Sequence, residues 1–198
     1  MNRSLVYVAF AIVVIMIIAV ALTQTGKDTA GAGPASVADV ETLLTGQVAN
    51  FTLNDDTKPT VEVSFSNRAG EPRSFTDFSD RVVLVNFWAT WCAPCIREMP
   101  ALARLEAKLG SNDFKVIAIS IDRQGMSAVD RFYKKYAIEN LEPFVDTKNS
   151  APRALRVVGL PTTVLLDRKG QEIGRLVGGA EWDSPEAVAL IRHFIGAS

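Results

Sequence analysis

The two cysteines of this 198-residue chain are separated by only two residues, in the segment W-C-A-P-C at 91–95. Two thiols at this spacing can close a disulfide and open again by thiol–disulfide exchange. The preceding run, Val82–Phe87, is mostly apolar and typical of a strand buried on both faces. After Cys95 the apolar side chains recur every three or four residues as far as Gly110, which predicts a helix that ends there. Cys92 is therefore expected where a buried strand is followed by a helix.

The start of a helix favours a cysteine thiolate over the neutral thiol. The first N–H groups of the helix have no intrahelical acceptor, and the macrodipole adds partial positive charge there. Pro94 removes one of these donors and restricts the turn between the sulfurs. Cys95 lies three residues further into the helix and is expected to be more buried. We therefore expect Cys92 to be the nucleophile and Cys95 the resolving thiol of a redox-active disulfide, with no other cofactor.

Two other interpretations of the cysteine pair are open but weaker. A structural zinc site needs four ligands, usually Cys or His, and the chain adds only His193, which is expected at the surface. A purely structural disulfide across so short a loop would constrain the unfolded chain very little. A redox-active dithiol is the preferred interpretation.

Several side chains near the cysteines invite a functional interpretation. Glu98 follows Cys95 by three residues and shares its helix face, so its carboxylate could hold or accept the proton of that thiol. The alternative is an acid favoured in the first turn by the helix dipole. Trp91 is predicted to flank the active surface, Trp88 to lie in the core, and Arg97 to be solvated or paired with an acid.

Four motifs resemble the thioredoxin superfamily: F-W-A-T-W-C-A-P-C at 87–95, R-E-M-P at 97–100, V-G-L-P-T-T at 158–163 and E-W-D-S-P-E-A at 181–187. More narrowly, they resemble the membrane-anchored thiol:disulfide oxidoreductases of the TlpA/ResA type, with the last motif similar to TlpA. The resemblance covers 46–198. It implies an α/β thioredoxin-like fold with a central mixed sheet flanked by helices, an N-terminal β-hairpin and a central αβ insertion.

The resemblance also implies roles for individual residues. Pro161 is identified as the cis-proline that faces the cysteines, so that the Leu160 backbone is free to pair with an extended substrate chain. The resemblance implies that Glu98 takes part in proton transfer. Asn86 stands where cytosolic thioredoxins carry an aspartate, and an asparagine cannot relay a proton, so Glu98 would take over that role. The residues expected to bind the substrate are Trp91, Ala93, Pro94, Leu160 and Pro161.

The N-terminal segment predicts export. Residues 5–22 are apolar and uncharged, and as a helix they would rise about 27 Å, close to the thickness of a bilayer core. We expect a cytoplasmic N-terminus at 1–4, a transmembrane anchor at 5–22, a linker with a possible short helix at 23–45, and a domain at 46–198. The alternative is a signal peptide cleaved near A-V-A at 19–21. The chain is thus expected in a bacterial inner membrane, spanning it once, with the catalytic domain in the periplasm.

Periodicity predicts the remaining elements of the domain. Strands and helices alternate after the motif helix, which predicts parallel βαβ units. The predicted elements are a hairpin at 61–65 and 73–75, strands at 115–121, 141–146 and 163–166, an antiparallel edge strand at 172–177, and helices at 127–136, 150–156 and from Ser184.

Together these features predict an exported thiol:disulfide reductase. The resemblance implies as substrates a copper chaperone, the copper subunit of cytochrome oxidase or apocytochrome c, and as electron donor a transmembrane carrier of the CcdA or DsbD type. The net charge of −1 gives no support for nucleic-acid binding. The alternatives are an exported dithiol oxidase, a Cu(I)-binding chaperone using the two sulfurs, and a thiol peroxidase, whose usual T-x-x-C pattern is absent.

Overall fold

The computed structural model describes residues 40–58 and 61–196, with the side chains of 55–58 excluded. The anchor predicted at 5–22 and the linker as far as residue 39 lie outside these residues and remain predictions. No helix within the described ranges has the length and apolar content needed to cross a bilayer.

One eight-stranded sheet forms the centre of the domain. Its strands are β1 (Thr52–Lys58), β2 (Phe65–Ser66), β3 (Pro72–Arg73), β4 (Val82–Trp88), β5 (Phe114–Ser120), β6 (Pro143–Val145), β7 (Thr162–Leu166) and β8 (Glu172–Val177). The helices are α1 (Ala93–Leu109), α2 (Met126–Tyr136), α3 (Ser150–Ala154) and α4 (Pro185–Gly196). Two 3₁₀ turns, Gly46–Val48 and Phe75–Phe78, complete the set.

The strand order is β1-β8-β7-β4-β5-β6-β2-β3. Strands β4, β5 and β6 run parallel, joined through α1 and α2, whereas the remaining pairs are antiparallel. This is the mixed sheet with parallel βαβ units that the alternation of strands and helices predicts. The thioredoxin-like fold is confirmed.

The core lies on both faces of the sheet, because successive residues of β4 point to opposite sides. Val82, Leu84 and Trp88 pack with buried side chains of α1, α2 and α4. Val83 and Phe87 pack on the other face with the hairpin, the turn at Phe75–Phe78 and α3. All seven residues of β4 are buried, so the strand that leads to the cysteines is at the centre of the described domain.

The edge of the sheet differs from the prediction. Strand β8 was expected at the edge, but β1 pairs with it, with Leu53 opposite Gly174. The sequence of β1, T-L-N-D-D-T-K, lacks the apolar alternation by which a strand is recognised. The predicted hairpin exists but is shorter, since only Phe65 and Ser66 pair with Pro72 and Arg73.

Two side chains also differ from their predicted environments. Tyr136, expected on the inner side of α2, is exposed and packs at a tilt against Phe132, with ring centroids 4.5 Å apart. His193, expected at the surface, is half-buried, with its ring edge-on to Phe194. Both lie near the C-terminal end of a helix, where the neighbouring elements rather than helical periodicity decide the exposure of a side chain.

Candidate active site

Cys92 and Cys95 form a disulfide at the start of α1, with their Cα atoms 5.2 Å apart. Cys92 is the N-cap residue of this helix, and its sulfur accepts a hydrogen bond from the Cys95 N–H at 3.3 Å. Its carbonyl accepts from the Ile96 N–H at 3.0 Å. Because the same N–H group and the helix dipole would act on a Cys92 thiolate after reduction, the position favours the charged form. The predicted junction of strand and helix is confirmed.

The two sulfurs differ in exposure. Cys92 is 6% exposed and Cys95 is fully buried. Trp91 is 68% exposed beside them, whereas Trp88 is fully buried, as expected for each. Cys92 is therefore the member of the pair nearer to solvent, which is the asymmetry needed for one attacking and one resolving sulfur.

A second loop reaches the same end of the sheet. The Leu160–Pro161 peptide bond is cis, as the resemblance implies. Thr162, the next residue, pairs with Phe87 near the end of β4, so Pro161 lies beside the segment that leads to Cys92. Leu160 is half-buried and Pro161 is buried, while the Pro161 carbonyl accepts from the Gly178 N–H at 2.9 Å. The two loops bring the five predicted substrate-binding residues to one end of the sheet.

Glu98 is buried beneath this surface and only 2% exposed. Its carboxylate accepts hydrogen bonds from the Asn86 side-chain amide at 2.7 Å and from the Ala180 N–H at 3.2 Å. Burial raises the pKa of Glu98 from 4.5 to about 7, and the hydrogen bonds from Asn86 and Ala180 limit the rise. Near neutral pH this group can therefore both hold and release a proton.

A small recess lies between the first turns of α1 and the loop after β8. It has a volume of about 240 Å³ and is lined by Pro94, Arg97, Glu98 and Gly179, among others. Arg97 is exposed there and makes no ion pair within the described part of the chain. The recess places the Glu98 carboxyl close to solvent although the residue itself is buried.

Sequence reasoning missed the partners that hold the site in place. Asn86 donates from the same amide to Thr163 Oγ1 at 2.9 Å, which ties Glu98 to β7. Asp122 accepts from the Thr90 N–H at 2.8 Å and from the Thr90 hydroxyl at 2.7 Å, fixing the turn before Cys92. The only signal available for Asp122 was its place just after a buried strand, where functional side chains of α/β proteins often lie.

Comparison with known proteins supports the family that the sequence motifs resemble. The Redoxin family model matches residues 53–191. ResA thiol-disulfide oxidoreductase of Bacillus thuringiensis is 32% identical over 109 residues, which are 55% of this chain and 62% of that protein. ResA of Bacillus subtilis is 27% identical over 165 residues, covering 83% and 82% of the two chains. The match thus spans less than two thirds of the first of these relatives and most of the second.

Solved structures agree in fold. A protein of Chlorobium tepidum described as thiol:disulfide interchange protein DsbE superposes with a TM-score of 0.64 at 27% identity, covering 73% of this chain and all of that one. StoA of Bacillus subtilis superposes at 0.56 with 20% identity, over 66% and 99% of the two chains, and shows the fold alone. Because the family model spans the cysteine pair, Glu98 and the cis-proline, the chain belongs to the Redoxin family of the thioredoxin superfamily.

Proposed function

We propose that this protein is an exported thiol:disulfide reductase that acts on disulfides of other proteins through Cys92 and Cys95. The observation that carries the proposal is the asymmetric disulfide at the N-terminus of α1, in which Cys92 keeps a small exposed area and Cys95 is fully buried. The ResA relatives support it, since they are named thiol-disulfide oxidoreductases.

The proposed reaction transfers two electrons and two protons. The Cys92 thiolate attacks one sulfur of a substrate disulfide, that disulfide breaks, and the departing substrate sulfur takes up a proton. The Cys95 thiol gives its proton to the Glu98 carboxylate and attacks the Cys92 sulfur. The mixed disulfide breaks, the second substrate sulfur leaves and takes up the proton held by Glu98, and the Cys92–Cys95 disulfide is formed. A pKa of about 7 suits Glu98 to this transfer near neutral pH.

The substrate chain would lie across the two loops at the end of the sheet. Trp91 offers apolar area, since it is largely exposed next to the reactive sulfur. Ala93 and Pro94 would contact the segment on one side of the disulfide, and the backbone of Leu160 would pair with it on the other.

The physiological setting follows from the N-terminal sequence and from the resemblance. The apolar segment at 5–22 would anchor the chain in a bacterial inner membrane with its catalytic domain in the periplasm. The proposed substrates are a copper chaperone, the copper subunit of cytochrome oxidase or apocytochrome c, whose thiols must be reduced to bind metal or haem. A transmembrane dithiol carrier of the CcdA or DsbD type would reduce Cys92–Cys95 again.

The reduction potential of the Cys92–Cys95 pair tests the direction of electron flow. We expect equilibration of the full chain with glutathione or dithiothreitol buffers to give a value below about −200 mV, as for a reductase. A value near about −120 mV is typical of a strong oxidant and would make the protein a disulfide-forming enzyme. In the Cys95→Ser variant the mixed disulfide cannot be resolved, so a covalent substrate adduct through Cys92 should accumulate.

A further inference from the structure

A large groove lies beside the turn that leads into Cys92. Its volume is about 770 Å³, and its walls come from the turn before Cys92, from the loop after β5 and from α2. Thr90 and Trp91 line it immediately before Cys92, and Ile96 lines it one turn into α1. A chain segment that occupied this groove would therefore lie beside the residue that precedes the reactive cysteine.

Three basic side chains line this groove: Arg123, Arg131 and Lys135. All three are exposed, and none of them forms an ion pair with another described residue. The groove therefore carries positive charge, although the whole chain has a net charge of −1.

The acids close to these cations are already engaged. The carboxylate of Asp122 accepts hydrogen bonds from Thr90 and from the Ser120 hydroxyl at 2.7 Å. Asp130 pairs with Arg68 at 3.1 Å. Asp122 keeps its negative charge and also lines the groove, but the three basic side chains outnumber it, so the groove as a whole is positive.

Neighbouring side chains hold the cations in place. The Arg131 guanidinium donates to the Gln124 side-chain oxygen at 2.6 Å. The Lys135 ammonium lies 5.0 Å from the centre of the Tyr136 ring, which is itself exposed in the groove. Since Arg131 and Lys135 are four residues apart on α2, their side chains are neighbours about 6 Å apart on one helix face.

We propose that this groove binds an acidic segment of the substrate protein, next to the disulfide that Cys92 attacks. The inference rests on the proposed function and names the class of its substrate. In an extended chain, alternate residues are about 6.6 Å apart. An Asp-x-Asp segment can therefore place one carboxylate against Arg131 and the next against Lys135. Charge complementarity of this kind mainly accelerates encounter and selects between partners.

Three synthetic peptides with one and the same internal disulfide test the inference on the reduced full chain in nonionic detergent. One carries Asp-x-Asp beside its first cysteine, one Asn-x-Asn and one Lys-x-Lys. At low ionic strength we expect the Asp peptide to be reduced about tenfold faster than the Asn peptide, and the Lys peptide to be the slowest. In about 0.5 M salt the ratio of the Asp-peptide rate to the Asn-peptide rate should approach one, because salt then limits the attraction between charges to a few ångströms.

A pair of charge reversals on α2 locates the effect. Lys135→Glu should lower the ratio of Asp-peptide to Asn-peptide rates about fivefold. Lys134→Glu changes the net charge equally on the same helix, but Lys134 does not line the groove, so the ratio should stay within twofold. Because the Asp-peptide and Asn-peptide rates are compared within each variant, a change in the fraction of active protein or in the reactivity of Cys92 does not alter their ratio.

The outcomes separate this inference from the proposed function. Equal rates for the three peptides, with all of them reduced, overturn the acidic-segment inference and leave the reductase intact. An equal loss of preference in Lys134→Glu and Lys135→Glu also overturns it, because the effect would then be one of net charge. If the reduced chain reduces neither the peptides nor a small neutral disulfide, the proposed function fails and the inference with it.

Discussion

The buried carboxyl of Glu98 and the amide of Asn86 form a polar pair, joined by the Thr163 hydroxyl, inside a largely apolar helix–sheet interface. The Glu98 carboxyl has hydrogen bonds to each of its oxygens but no cation among the described residues close enough to form an ion pair. A carboxylate in such a site is disfavoured by its loss of hydration, which is why its pKa rises to about 7. The group is suited to exchanging a proton, at some cost to stability whenever it is charged.

That cost predicts a pH dependence of stability. Since the folded pKa of Glu98 is about 7 against 4.5 for the free side chain, the folded state binds an extra proton between these values. The contribution of Glu98 to the free energy of unfolding should therefore fall by about 3 kcal/mol as the pH rises through this window. Relative to the parent chain, Glu98→Gln should gain stability from about pH 4.5 to about pH 8, measured by urea unfolding of the oxidised protein.

The matched control for this experiment is Glu139→Gln, which changes an exposed acid. Its stability should stay parallel to that of the parent chain across the same pH range. If Glu98→Gln also stayed parallel, the carboxyl would titrate at its ordinary pKa, and its proposed part in proton transfer would lose its physical basis.

The pairing of β1 with β8 closes one side of the sheet, and it depends on close backbone approach. Gly174 of β8 lies opposite Leu53, and a Cβ atom at Gly174 would meet the Thr52 carbonyl and the Phe51 ring. No flexible side-chain end is available to yield there, since the contacts are a backbone atom and a buried ring. A glycine here is required by packing rather than by backbone conformation.

Gly174→Ala should therefore displace β1 and lower the free energy of unfolding by about 1–3 kcal/mol. Gly159→Ala is the matched control, because a Cβ there meets no atom within 4 Å and its φ lies outside the left-handed region. That change should stay within about 0.5 kcal/mol of the parent. Urea unfolding of both variants checks the difference, and equal stabilities would mean that β1 can shift without loss.

At the scale of the whole molecule, Arg175 connects the sheet to the segment that leads to the cis-proline. Its guanidinium donates two hydrogen bonds of 2.6 Å to the buried Glu172 carboxylate. A third, of 2.9 Å, goes to the carbonyl of Leu155, just after α3. Strand β8 and the chain approaching Leu160 are thus held together through one side chain.

Arg175→Ala would leave the Glu172 carboxylate buried without its cation. We expect a loss of about 3 kcal/mol in the free energy of unfolding, since the cost of an unpaired buried charge exceeds the net worth of the pair. The double variant Glu172→Gln/Arg175→Met removes both charges and should lose less than half as much. Urea unfolding of the two variants measures both losses of stability. An equal loss in both would show that the packing of the Arg175 side chain, rather than its charge, stabilises the fold.

The local arrangement of the active site was predictable from the sequence. Buried-strand and helical periodicities meet at Cys92, and this alone places one cysteine at a helix N-terminus and the other deeper in the helix. The exposure of Trp91 was expected from its place directly before Cys92, and the burial of Trp88 from its place next to the buried strand. The fold and the cis-proline came from motif resemblance, because a cis bond leaves no local trace in composition or spacing.

What only the tertiary structure decided are the contacts between residues far apart in the chain. Glu98 meets Asn86 and Ala180, which lie 12 and 82 residues away, and β1 joins β8 more than a hundred residues later. The basic groove likewise needs the loop after β5 and α2 to lie beside Trp91. Periodicity in a sequence states which face of an element is buried. Which element covers that face depends on the order and register of the strands, and these are set by the packing of the whole domain.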